Sequence, residues 1–105
     1  MVEIYQLGEN MNITKRVTFI AKDGCEDKMK ELLSAMVIPS KAEDGCLFYE
    51  IFQYENSPKK FMAVETWEDE KALDGHKVSK HYATYKSSYE PYCDDKYTDE
   101  LITLG

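Results

Sequence analysis

The stretch from Trp67 to Tyr82, WEDEKALDGHKVSKHY, holds the only tryptophan of the chain and both of its histidines. Imidazole is the side chain best suited to exchanging protons near neutral pH, and a pair of them also raises the question of a metal. On an unbroken α-helix, residues five apart are separated by roughly 140° about the axis, whereas shared ligation wants neighbours three or four apart. His76 and His81 are therefore a poor helical pair, and no HExxH or other dense ligand pattern accompanies them. No metal site is expected. His76 follows Leu73 by three residues and Ala72 by four, which turns its ring toward the protein interior. Two roles are open to it there: a core histidine satisfied by Glu65, Tyr49 or a carbonyl, or a proton acceptor facing a pocket. His81 is placed at a helix break or on the surface.

Trp67 closes a strand-like run just before this helix, where an indole can fill the end of a core and donate its N–H. A shared cavity beside His76 would take walls from Phe61, Glu65 and Tyr49. The stripe Tyr82, Tyr85, Tyr89 reads as packing. Cys25, Cys46 and Cys93 are odd in number and widely spaced, without a C-x-x-C pair, and are expected to be reduced thiols.

These groups must be positioned by elements that the sequence marks in turn. Residues 15 to 22, KRVTFIAK, alternate as a strand, and Asp23-Gly24 supplies a turn. A helix follows, with Glu26 and Asp27 in its first turn and Met29, Leu32, Leu33, Met36 and Val37 along one stripe; Pro39 is expected to kink or end it. GCLFYEIFQY (45 to 54) and KFMAVETWE (60 to 68) read as an antiparallel hairpin joined through ENSPK. Both faces of the hairpin carry large apolar groups, so both are expected to be covered, one by helices and the other by a second subunit. A second helix begins near Asp69, falters at Gly75 and Val78-Ser79-Lys80, and resumes until Pro91. YTDELITL, residues 97 to 104, reads as the last strand. The order βαββαβ predicts an α+β, ferredoxin-like subunit over residues 15–105. Residues 1–14 form an N-terminal extension, in which VEIYQL offers either an extra edge strand or a loosely attached segment.

Composition sets limits on partners. A chain of 105 residues is one domain. Its formal charge of −7, from 20 acidic against 13 basic side chains, argues against nucleic acid and against anionic membrane surfaces. No apolar run approaches the roughly 20 residues of a membrane span, and MVEIYQLGEN does not look like a secretory signal. A cytoplasmic protein is expected.

The succession VTFIAKDGCEDKMKELL followed by AEDGCLFYEIFQYENSPKKFMAVETWEDEKALDGHKVSKHY resembles the antibiotic biosynthesis monooxygenase family of dimeric α+β barrels. The most specific parts are Glu43-x-Gly45-Cys46-x-x-x-Tyr49-Glu50 and Glu65-x-Trp67-x-x-x-x-Ala72-Leu73-x-x-His76-x-x-Ser79-x-His81-Tyr82, within a match over residues 15 to 104. The resemblance implies a homodimer with sheets face to face and a pocket in each subunit between sheet and helices. It also implies oxidation of a small aromatic, hydroquinone or polycyclic phenol by molecular oxygen, without metal, flavin or other cofactor. By this analogy His76 is the base and Trp67 a pocket wall and donor, with Tyr49, Glu65, Phe61, His81 and Tyr82 at the substrate. A haem-degrading branch expects a ligand histidine later in the second helix, where this chain has Tyr85. A branch that isomerises a phosphorylated autoinducer sugar has a similar His-Lys-x-x-x-His-Tyr stretch, and would draw on Lys77, Lys80 and Lys22 for phosphate. A dimeric small-molecule-binding or stress-associated module without turnover is the non-enzymatic alternative.

Overall fold

Alternation along four strands divides the chain's side chains between two environments. The computed structural model describes residues 12–104, and the edge strand expected within VEIYQL lies outside them. Strands β1 (Ile13–Ala21), β2 (Cys46–Tyr54), β3 (Ser57–Trp67) and β4 (Cys93–Leu101) form one antiparallel sheet in the order β2-β3-β1-β4. Helices α1 (Glu26–Ser34) and α2 (Val37–Lys41) join β1 to β2, and α3 (Glu70–Lys77) and α4 (Lys80–Ser88) join β3 to β4. This is the expected α+β, ferredoxin-like arrangement. No helix among the described residues is long and apolar enough to cross a membrane.

On the helix-covered face, Phe19, Ala21, Tyr49, Phe61, Ala63 and Trp67 are buried against Met29, Leu33, Met36, Leu73 and Tyr85. The pairings arrange this face in rows. Tyr49, Glu65 and Lys15 stand side by side, then Ile51, Ala63, Val17 and Thr98, then Gln53, Phe61, Phe19 and Lys96. The opposite face exposes Phe48, Phe52, Tyr54, Tyr97 and Leu101, with no cover among the described residues.

Several boundaries differ from the sequence reading: β1 starts at Ile13, two residues inside the expected 1–14 extension, and two others have a clear physical cause. The first helix ends at Ser34, before Pro39, and Pro39 is the third residue of α2. In a first turn the missing proline N–H has no helical acceptor to lose, so the ring is tolerated there. The last strand begins at Cys93 rather than Tyr97, directly after the 3₁₀ turn Glu90–Tyr92. Asp94-Asp95-Lys96 masks the strand pattern, and an edge strand accepts such charge.

Candidate functional site

Helix α3 starts on Asp69, whose carboxylate accepts the Ala72 N–H at 2.9 Å. It ends where Ser79 intervenes. The Ser79 hydroxyl donates to the His76 carbonyl at 2.7 Å, and its oxygen accepts the Tyr82 N–H at 3.2 Å as the N-cap of α4. One residue thus closes one helix and opens the next. The angular count that set His76 and His81 apart assumes an unbroken helix, and this break overturns it: their ring centres lie 5.7 Å apart.

Both rings meet one carboxylate. Glu43 Oε2 lies 2.7 Å from His76 Nδ1 and 2.6 Å from His81 Nε2. The partners suggested by the sequence for His76 were Glu65, Tyr49 or a carbonyl; the partner is Glu43, 33 residues upstream. Gly45 makes this possible. Its φ of +82° suits glycine, and a Cβ there would lie 2.5 Å from the Ala72 Cβ, so the loop presses against α3 one turn before His76. Glu43 was visible in the sequence as part of a family-like stretch, but its bond to His76 was not.

The protons of this cluster can be assigned. Ser79 spends its hydroxyl proton on the His76 carbonyl, so its 3.2 Å contact with His81 Nε2 requires a proton on that nitrogen. A proton on Nδ1 of His76, donated to Glu43, leaves Nε2 of the neutral ring with a free lone pair. No hydrogen bond occupies that nitrogen among the described residues. The ring itself is 2% exposed, against 16% for Glu43 and 21% for His81. Trp67 lies over it at 4.6 Å between centroids, with Tyr82 edge-on at 5.1 Å and Tyr49 at 5.7 Å.

Two imidazoles and a carboxylate are also a zinc-type donor set, and their three donor atoms lie within 4.8 Å of one another. A tetrahedral zinc would hold such atoms about 3.3 Å apart and would displace both ring protons. The contacts of 2.6 and 2.7 Å are those of hydrogen bonds instead.

His76 borders a cavity of about 80 Å³ between the sheet and the helices. Tyr49, Glu65 and Tyr82 line it too, as expected, together with Lys15, Lys77, Lys96 and Tyr85. Three expected residues do not line it. Trp67 is fully buried behind Glu65, to which its Nε1 donates at 2.7 Å. Phe61 lies in the core beside Phe19, and His81 faces a separate groove with Lys80 and Thr84. Burial and the charge of Glu65 hold the Tyr49 phenol well above the usual tyrosine range, and burial lifts Tyr82 as well. Both remain protonated donors at neutral pH, which leaves the imidazole as the more suitable proton acceptor.

The sequence profile of the antibiotic biosynthesis monooxygenase family matches residues 12–87. Rv0793 of Mycobacterium tuberculosis, named as a candidate monooxygenase, is 30% identical over 69 residues, covering 66% of this chain and 67% of that protein. The crystal structure of PA3566 from Pseudomonas aeruginosa superposes with a TM-score of 0.86 and 30% identity, over 90% of this chain and 95% of the other. The structure of Rv0793 superposes at 0.83 with 24% identity, over 90% and 96% of the two chains, and that likeness speaks to the fold. With its profile matched across most of its length, the chain belongs to the antibiotic biosynthesis monooxygenase family, and at that level to the oxidoreductases.

Proposed function

We propose that the protein is a cofactor-independent monooxygenase of small quinols or phenols, with His76 as the base. The observation that carries this reading is the two-sided placement of one imidazole. Glu43 engages Nδ1, while the ring borders the cavity and its Nε2 is left to act. A carboxylate on Nδ1 orients the ring and stabilises the imidazolium formed when Nε2 takes a proton.

In the proposed reaction, Nε2 removes the hydroxyl proton of a phenol, and the resulting phenolate gives one electron to oxygen. The ring radical and superoxide then combine to form a carbon–oxygen bond. The imidazolium returns its proton to the peroxide, and loss of water leaves a quinone. One oxygen atom stays on the ring and the other leaves as water; the substrate supplies all the electrons. The protein binds the ring, moves a proton at Nε2 and excludes water through Leu73, Tyr82 and Tyr85. Tyr49 acts as a donor to substrate oxygen, and Trp67 acts indirectly by holding Glu65.

Size favours single rings. A cavity of about 80 Å³ is smaller than the roughly 150 Å³ that holds one benzene in an engineered core. A monocyclic quinol enters with side-chain adjustment, whereas a polycyclic phenol needs the helices to move.

The functional unit is a homodimer in this reading. Phe48, Phe52 and Tyr97 are 44%, 46% and 45% exposed on one sheet face, which a second copy would cover. The catalytic domain, expected from residue 15, takes in Ile13 and Thr14 as well in this reading, because both are paired in β1. Three unpaired cysteines suit a cytoplasmic setting.

The test is oxygen uptake by protein treated with EDTA, across a panel of hydroquinones and phenols. Turnover that survives chelation is expected, with one oxygen atom from ¹⁸O₂ in the product. Uptake by no substrate would sink the monooxygenase reading and leave a non-catalytic binding module. Activity lost on chelation and restored by zinc would recast Glu43, His76 and His81 as metal ligands.

A further inference from the structure

The inside of the cavity is opposite in sign to the protein around it. The chain has a formal charge of −7, yet Lys15, Lys77 and Lys96 line the space beside His76, with Glu65 the one acidic side chain among them. No ion pair involving these lysines occurs among the described residues. Lys77 is exposed at the rim and needs none. Lys15 stands directly across from Glu65 in the pairing of β1 with β3, so these two charges offset each other.

Lys96 has no acid directly across the sheet, and Glu65 acts on it only weakly, from two rows away. It rises from β4 beside Phe19, two rows along the sheet from Glu65 and Lys15, with the apolar row of Val17 and Ala63 between. Two rows correspond to about 13 Å between the backbone positions that carry the two charges. The ammonium is partly buried over aromatic rings, 5.0 Å from the Tyr89 centroid and 5.6 Å from that of Tyr85. These faces attract a cation but carry no countercharge. Burial disfavours its charged form, and the nearby charges of Lys86 and Lys15 press in the same direction. A cation kept in such a place is relieved by an anion.

We infer that the cavity takes a monocyclic quinol or phenol bearing a carboxylate, bound with the carboxylate on Lys96 and a ring hydroxyl toward His76 and Glu65. The apolar middle row carries the ring. Glu65 repels the carboxylate from its own end and Lys96 attracts it to the other, so one orientation is selected. The quinol part of this assignment rests on the function proposed above; the anion part rests on the lysines.

Calorimetric binding separates the two. The probes are 2,5-dihydroxybenzoate, its primary amide and hydroquinone, in low salt without turnover. The acid is expected to bind about tenfold tighter than the amide, the scale of one charge-assisted hydrogen bond. Lys96→Met is expected to erase that advantage while leaving the amide's affinity within about twofold, whereas Lys59→Met, at a lysine paired with Asp23 outside the cavity lining, keeps it. An amide that binds as tightly as the acid overturns the inference, as does an acid advantage that survives in Lys96→Met, or binding of none of the probes. Inorganic phosphate displacing the acid at lower concentration would overturn the carboxylate in favour of a phosphorylated ligand. Acid-selective binding without oxygen uptake would reject the monooxygenase and keep the anion site; uptake with hydroquinone and no acid preference would do the reverse.

Discussion

Two polar clusters meet at this cavity, and they are built on opposite terms. The Glu43 cluster is closed on its protein side: one carboxylate oxygen serves two imidazoles and Ser79 contacts His81, while Nε2 of His76 is left open toward the cavity. The Lys96 end is open, with an ammonium among aromatic rings and other lysines. A closed network has little to gain from a ligand and acts by fixing geometry. An open charge is unfavourable until something arrives, and so acts by selecting what arrives.

Mutations can break that contrast, and His76→Ala is the strongest of them. It is expected to lower kcat by about 10²–10⁴ in oxygen-uptake assays while the acid still binds, since the base is lost and Lys96 remains. Glu43→Gln comes next. The amide oxygen can still accept from both rings but carries no charge to stabilise the imidazolium, so a fall in kcat of roughly tenfold to a hundredfold is expected. KM should change little, and a matched rise in KM with kcat intact would reassign Glu43 to general structure.

Gly45→Ala tests the loop that carries Glu43. A methyl group would meet Ala72 at a backbone angle hostile to side chains, and denaturant unfolding should show a loss of about 1–3 kcal/mol. Stability equal to that of the parent would show that the loop's close approach is not needed. The smallest effect is expected from Lys96→Met on the ligand-free protein, and it has the opposite sign. The folded-state pKa of Lys96 lies below its unfolded value, so the unfolded chain holds more protons and stability rises with pH. The penalty is present at neutral pH and fades as pH climbs through the lowered pKa toward about 10.4. Lys96→Met should therefore melt slightly higher than the parent at pH 7, with the gap closing by pH 10.5 or so. A variant that melts lower at pH 7 would mean that the ammonium's aromatic contacts outweigh its burial.

The legible parts of this molecule were those written in local periods. The β2–β3 hairpin follows from two-residue alternation around Glu55-Asn56, and the inward turn of His76 follows from its spacing to Leu73 and Ala72. Pro39 misled because its effect depends on helix position, which composition does not reveal. The hydrogen bonds from Glu43 join residues 33 and 38 positions apart, and no local pattern encodes them. Trp67 and Phe61 were assigned to the correct face of β3, but a face is wider than a cavity.

Ser79 has a further consequence for how such chains diverge. Because its hydroxyl starts α4 afresh, every direction on that helix is measured from the serine rather than from His76. Insertions before the cap would swing His81, Tyr82 and Tyr85 as a block, whereas changes after it alter them singly. The cap acts as the origin of a coordinate system, so the two halves of this helical connection take their facing separately, one from Asp69 and the other from Ser79.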